Sequence, residues 1–369
     1  MKIAYIVLKG MPLGGGIEKY TEEVGSRLAM RGHDITVYVM RHYGAKDGLY
    51  RGMRIKTVPC IKSRSCEKIT ASLMATVNNI LTENPDIVHF HASGSGMFQF
   101  MPCSLDRKVV VQGHGIEWKR SKWSFAGKTF LRLSEFLSFR FSRNITVVSN
   151  VQREYIKKKY GRESVYIPTG VNLPQIESPC LINKYGLKGN DYILFAARLV
   201  REKGAHYLIE AFTKLKSELK LVIAGDAQYE EKYKAELHKL AGRDGRIIFT
   251  GFVTGKLLGE LFSNPYVFVL PSEIEGLPTA LLEAMSYGNC CLVSNIPENI
   301  EALNGFGYVF VNKDETDLKN KIEYLINNKA DVDAVKPKSK EYVLKNYLWE
   351  DIALKLEKFY KSVLMGEKR

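Results

Sequence analysis

Short apolar runs alternate with amphipathic stretches from one end of this 369-residue chain to the other, and that alternation restricts the fold more than any other feature. "KIAYIVL" (2–8), "DITVYVM" (34–40), "DIVHF" (86–90), "KVVVQG" (108–113) and "NITVVS" (144–149) are too short and too uniformly apolar for surface helices. They read as strands buried on both faces. Stretches with helical periodicity, such as 17–31 and 67–83, lie between them. The pattern restarts with "YILFAA" (192–197), "LKLVIAG" (219–225), "RIIFTG" (246–251), "YVFVLP" (266–271), "CCLVSN" (290–295) and "GYVFV" (307–311). Strands alternating with helices make a parallel sheet covered on both faces, so two series predict two doubly wound α/β domains. The break falls in "IPTGVNLPQIESPCLINKYGLKGND" (167–191), where prolines and glycines interrupt any period. We therefore expect an N-terminal domain over 1–172, a second over 173–349, and a final helix over 350–369 returning to the first.

The net charge of +14 is unevenly divided. Residues 1–172 hold 27 basic and 13 acidic side chains, a balance of +14, and residues 173–369 hold 27 of each. Such an excess reads either as ordinary solvated lysines or as the footprint of an anionic partner: a membrane surface, a lipid phosphate or nucleic acid. No run approaches the ~20 apolar residues of a membrane helix. The six cysteines form no CxxC pair and read as reduced thiols of a cytosolic protein, with no metal site.

Three stretches carry candidate chemistry. "GMPLGGGIEKYTEEV" (10–24) follows the first strand and opens a helix, where glycines let the backbone approach an anion. It is not GxGxxG, and a tight structural turn explains it equally well. "FAARLVREKG" (195–204) puts Arg198 and Lys203 beyond the carboxyl end of a strand, the edge at which open α/β sheets bind ligands. Two cations there suit a diphosphate or are simply solvated. "SEIEGLPTALLEAMSYG" (272–288) sets Glu275 in a loop after a strand, with Glu283 on a short helix among Leu281, Leu282, Ala284 and Met285. A carboxylate in such surroundings needs donors, and ribose hydroxyls would serve; an amphipathic helix that exposes Glu283 is the plain alternative.

The order "GGGIE", "HGIEW", "ARLVREKG", "EGLPTALLEAMSYG", "SNIPENIEAL" resembles the retaining glycosyltransferases of family 4, which have the GT-B architecture of two Rossmann-like domains facing across a cleft. The segment around "EWKRSKW" is similar to a rhamnosyltransferase-like bacterial branch. The resemblance implies a metal-independent transfer of a sugar from a UDP-, GDP- or dTDP-linked donor, with no cofactor. It implies that Glu275 contacts the donor sugar, Glu283 the nucleotide ribose, and Arg198 and Lys203 the diphosphate. Gly276 and Leu277 would add backbone amides, Gly15 and Gly16 would approach the diphosphate, His114 would lie near the sugar, and Glu298 would be on the donor side. Leu277 and Thr169 depart from the Phe and Asn common in the family.

Segment 114–143 interleaves cations with large aromatics. Glu117, Trp118, Lys119, Arg120, Lys122 and Trp123 are its candidate acceptor-side or membrane-side residues. The expected acceptor is a saccharide or polyprenyl-diphosphate-linked saccharide used in surface polysaccharide assembly, at the cytoplasmic face of the cell membrane. Two rivals remain: a nucleotide-sugar 2-epimerase on the same scaffold, and a nucleic-acid-binding protein using the basic half. The second lacks any stacking or helix-turn-helix signature, so nucleic acid is not expected as a partner.

Overall fold

The first strand, β1 (Lys2–Leu8), forms where the sequence places its first apolar run, and Ile3, Ala4, Tyr5 and Ile6 are all buried. It lies within a sheet of eight strands built also from β2 (Asp34–Met40), β3 (Gly48–Tyr50), β4 (Met53–Val58), β5 (Ile87–His91), β6 (Lys108–Gly113), β7 (Ile145–Val147) and β8 (Val165–Tyr166). The order is β3-β4-β2-β1-β5-β6-β7-β8. All neighbours are parallel except β3 and β4, which form a hairpin through Arg51 and Gly52, both at positive φ. This computed structural model describes the chain apart from Leu13, Gly14, Arg64, Ser65, Ser121, Lys122, Gln228, Tyr229, residues 367–369 and the side chain of Val7.

The second sheet comprises β9 (Tyr192–Ala196), β10 (Lys220–Ala224), β11 (Ile247–Gly251), β12 (Val267–Leu270), β13 (Cys291–Ser294) and β14 (Tyr308–Phe310). Its order, β11-β10-β9-β12-β13-β14, is all parallel. Counted from β9 this is 3-2-1-4-5-6, the order of a doubly wound dinucleotide fold, and six strands of the first sheet (β4-β2-β1-β5-β6-β7) repeat it.

The chain divides into two compact units, Met1–Gly170 with Trp349–Arg369, and Val171–Leu348. The last helix, Trp349–Met365, belongs to the first unit because its sequence makes one apolar face. Trp349, Ile352, Leu356, Tyr360 and Val363 recur at spacings of three and four and share a core with Tyr5, Tyr20, Val24 and Leu28. Glu357 on the same helix takes Arg31 at 2.7 Å, Lys361 at 2.7 Å and His33 at 3.2 Å. In the second unit, buried Glu260 accepts the backbone N–H groups of Cys180, Leu181 and Ile182, which fixes the segment entering that unit.

The "DVD" triplet at 331–333 lies in the opening turns of the helix Lys329–Asn346. Within segment 114–143 the helix runs from Phe125 to Phe141, with Ser124 as its N-cap accepting from the Gly127 amide.

Candidate active site

In an open α/β sheet the crevice for a ligand opens beyond the carboxyl ends of the strands where the order reverses. In the second unit that is between β9 and β12, adjacent in the sheet although far apart in sequence. Their following loops hold Arg198 and Lys203 on one side and Glu275 on the other. The two loops touch at Gly204, which has φ +72 and would place an added Cβ 2.0 Å from the Pro271 carbonyl oxygen, so no other residue fits without displacing backbone. The Glu273 N–H donates to the Glu202 carbonyl at 2.9 Å. Beneath the β12 loop, Ser294 Oγ donates to the Ser272 carbonyl, and Asn299 Nδ2 donates to Ser294 Oγ at 2.9 Å. Ser272, Ser294 and Asn299 are all fully buried, so the loop carrying Glu275 rests on a fixed polar base.

On this base Lys203 Nζ lies 2.6 Å from Glu275 Oε1. The side chains are 16% and 7% exposed, which makes this a largely desolvated ion pair open at one edge. Arg198 is exposed and its guanidinium makes no hydrogen bond, ion pair or ring contact among the described residues. The N–H groups of Gly276 and Leu277 make no hydrogen bond to any described residue. A paired cation, an open cation and free amides thus line one sheet edge, a set of donors suited to a multiply charged anion.

The two glutamates differ from the burial read in the sequence. Glu275 is the buried one, at 8% exposure. Glu283 is half-buried on the helix Thr279–Ser286, while Leu281, Leu282, Ala284 and Met285 around it are fully buried, and its carboxylate has no partner among the described residues. Glu298 stands in the first turn of the helix Pro297–Leu303, half-buried and engaged with neighbours of its own.

In the first unit the corresponding edge lies at the ends of β1 and β5. Gly15 is the N-cap of the helix Gly16–Met30. Glu18 folds back over it, accepting the Lys9 N–H at 3.2 Å and lying where any Cβ on residue 15 would go, 2.1 Å away. Among the described residues beyond its chain neighbours and its own helix backbone, none comes within 4 Å of the Cβ position of Gly16. His114 follows β6, and its loop is clamped by Gln152, whose amide both accepts from the Gly115 N–H and donates to the Gly115 carbonyl, each at 3.1 Å. Burial, with Lys68 and Arg120 nearby, pushes the His114 pKa down to about 3, so the ring is neutral at physiological pH.

Of the acceptor-side candidates, Glu117 pairs with Lys68 at 3.4 Å, Lys119 is exposed, and Arg120 and Trp123 are half-buried. Lys122 lies outside the described residues. Trp118 is drawn inward: its indole N–H donates to Glu135 at 3.1 Å, and Arg132 stacks 4.5 Å from its ring. Glu135, 1% exposed, also accepts Tyr155 and Tyr160 hydroxyls at 2.6 Å and Lys159 at 3.0 Å. The exposed apolar side chains of the Phe125–Phe141 helix are instead Phe125, Leu133, Phe136 and Phe141, beside exposed Arg132 and Arg140. Sequence reasoning passed over Lys68, Gln152, Glu135 and His91. The period-two spacing of "HFH" was the one available signal, since it puts His89 and His91 on the same face of β5.

Among the described residues no group of three or more His, Cys, Asp or Glu side chains is arranged to hold a metal ion. None of their helices is long and apolar enough to cross a membrane.

Comparison with known proteins matches a family model to each unit. Residues 14–175 match Glycosyltransferase Family 4, and residues 181–342 match Glycosyl transferases group 1. The chain is 28% identical over 315 residues to an Escherichia coli UDP-Gal:alpha-D-GlcNAc-diphosphoundecaprenol alpha-1,3-galactosyltransferase, covering 81% of this chain and 80% of that one. Its fold is similar to that of a sucrose-phosphate synthase from Thermosynechococcus elongatus, at TM-score 0.84 and 18% identity over the whole of both chains. It is also similar to Anabaena Alr3699/HepE in complex with UDP and glucose, at TM-score 0.81 and 18% identity, covering 98% of this chain and all of that one.

Proposed function

We propose that this chain, which belongs to the family 4-type glycosyltransferases of the GT-B fold, transfers a sugar with retention from a nucleotide-sugar to a polyprenyl-diphosphate-linked saccharide in surface polysaccharide assembly. The donor is held by the second unit and the acceptor by the first. The observation that carries this reading is the donor set at the β9/β12 edge: Lys203 paired with buried Glu275, Arg198 open, and the Gly276 and Leu277 amides free. Support for the acceptor class comes from the Escherichia coli relative, whose name describes a diphosphoundecaprenol-linked acceptor.

The main barrier in such a transfer is charge separation as the nucleoside diphosphate leaves. Cations and amide dipoles fixed before the reaction stabilise that charge more strongly in a water-poor site than in solvent. Arg198 forks onto the diphosphate, and Lys203 exchanges part of its interaction with Glu275 for a phosphate oxygen as negative charge grows there. Glu275, held by Lys203, keeps its second oxygen for sugar hydroxyls and orients the ring. Glu283, half-buried and without a partner among the described residues, takes the ribose hydroxyls. Retention follows when the departing phosphate receives the acceptor proton on the face it leaves. Metal is not needed where two cations already face the diphosphate. The first unit attaches to an anionic membrane through the exposed Phe125, Leu133, Phe136 and Phe141 with Arg132 and Arg140.

The test is an incubation with UDP-, GDP- and dTDP-sugars, with and without a polyprenyl-diphosphate-linked saccharide. Acceptor-dependent release of one nucleoside diphosphate, and a product whose anomeric configuration matches the donor, are expected. Interconversion of the nucleotide-sugar with its 2-epimer in the absence of the acceptor would identify the epimerase instead.

A further inference from the structure

Beneath His114 lies a cluster of buried polar rings that the transfer reaction described above does not use. His89 and His91, both fully buried, stack with centroids 4.5 Å apart and planes 23° apart. Edges of Tyr5 and Tyr20 close around His91 at 5.1 and 6.0 Å. His89 Nδ1 pairs with the Tyr360 hydroxyl at 2.5 Å, and Tyr360 in turn donates to Tyr5. His91 Nδ1 lies 3.4 Å from His114 Nε2. His91 is the last residue of β5, and the next residue, Ala92, has φ +71 and ψ 154. A residue with a Cβ is strained there. The Ala92 N–H to the Gln112 carbonyl at 2.9 Å, and Ser95 Oγ to the His91 carbonyl, hold the strained turn in place. Strain maintained at one position, directly behind a ring that touches a site residue, indicates that the direction of that ring matters.

Only one proton can lie between His91 Nδ1 and His114 Nε2. Whichever ring donates it, His114 Nε2 is committed inward. His114 Nδ1, with no partner among the described residues, is the nitrogen left for a ligand. We propose that His91 is a positioning residue that ties down His114 Nε2 and presents Nδ1 of a neutral His114 ring to the substrate. This rests on the proposed function, in which the first unit binds a substrate at the strand ends beside His114. Ring flipping would move the working nitrogen by more than 2 Å and lose a hydrogen bond that depends on sub-ångström placement. The groups facing the pair are Tyr5 and Tyr20, His89, Gln112 from β6, Lys68 from the helix Glu67–Thr82, and Arg120. Lys68 and burial oppose a second proton on the pair, so it works as a neutral unit.

Four variants and the ring nitrogen resonances test this. In full-length protein, 15N spectra of the His114 imidazole should show a single tautomer. His91→Asn retains a polar atom near the Nδ1 position and should keep that tautomer. His91→Phe fills the stack without a polar atom, so the His114 resonances should shift towards a mixture of tautomers. With the active nucleotide-sugar, His91→Phe should lower kcat at least about tenfold with donor KM little changed, and His91→Asn should recover most of it. Should His91→Phe fail to fold, the comparison of His114→Asn with His114→Gln replaces it. Asn puts a polar atom at Nδ1 and should retain more turnover than Gln, which reaches the Nε2 position. Unchanged His114 resonances in His91→Phe, or greater activity in His114→Gln than in His114→Asn, would overturn the proposal. A protein that keeps one His114 tautomer but turns over no nucleotide-sugar leaves this inference standing and removes the functional reading beneath it.

Discussion

The Lys203–Glu275 pair can be dissected by a double-mutant cycle. At 2.6 Å the gross attraction is about 6 kcal/mol at an effective dielectric of ~20. Most of this is offset by desolvation of two charges, so the pair's net worth is far smaller. Removing one partner is a different matter. Lys203→Met leaves the Glu275 carboxylate 8% exposed and uncompensated. A fully buried orphan would cost ~3–5 kcal/mol, and the open edge at Lys203 reduces that to about 1–3 kcal/mol. Glu275→Gln should cost a similar amount. The double variant should cost less than the sum of the two, with a coupling of ~1–2 kcal/mol. All three tryptophans, Trp118, Trp123 and Trp349, lie in the first unit, so fluorescence would not report on this site. Hydrogen exchange of peptides covering β9 and β12, read by mass spectrometry, is the appropriate assay. Opening free energies should fall in each single variant and recover in part in the double. Strictly additive losses, within ~0.5 kcal/mol, would show that the two groups do not act on each other and would refute the reasoning about the site's charge balance.

The two glutamates should separate in their effects. Glu283→Gln should weaken free nucleoside diphosphate binding by about 1–3 kcal/mol, whereas Glu275→Gln should leave it near normal and reduce transfer; equal losses by calorimetry would remove the division of labour. Glu357 tests the docking of the last helix. Lys361, Arg31 and His33 hold its pKa at about 2 against the usual value near 4.5, overcoming the effect of burial. A carboxyl depressed on folding contributes stability above its ordinary pKa, and that contribution is lost as pH falls from about 5 to 2. Glu357→Gln should therefore lower the stability of the first unit by about 1–3 kcal/mol at pH 7 and by much less near pH 2, measured by tryptophan-detected urea unfolding. Glu260→Ala strands three backbone donors and should destabilise the second unit by about 2–4 kcal/mol, again by hydrogen exchange.

Most of the sheet was legible because strands buried on both faces are written as unbroken apolar runs. β2 and β6 have the bounds their sequences suggest, and the C-terminal strands differ from expectation by a residue or two at their ends. β3, β4 and β8 were not legible. β4, "MRIKTV", mixes buried and more open positions without an unbroken apolar run, since it lies near the sheet edge. β3 has three residues and β8 two, too short for any period. At the site, residue types placed Arg198, Lys203 and Glu275 at strand ends, but pairing across the β9/β12 edge depends on a crossover that sequence separation conceals. That Glu275 is the buried carboxylate and Glu283 only half-buried was not legible for a different reason. Apolar neighbours one and two residues away on a helix point in other directions, so they say little about the face that Glu283 occupies. Trp118 was read as an outward aromatic because cations surround it in sequence. The buried carboxylate that turns it inward, Glu135, is seventeen residues further on.

The central claim is that the β9/β12 edge of the second unit binds the diphosphate of a nucleotide-sugar. Isothermal titration of UDP, GDP and dTDP into the full-length protein, with Arg198→Ala and Lys203→Ala alongside, tests it most directly. One nucleotide should bind the wild type, and each variant should weaken it by at least about tenfold, the loss of one charge-assisted hydrogen bond of ~1.5–3 kcal/mol. Equal affinity in wild type and both variants, or no binding of any nucleoside diphosphate, would contradict it.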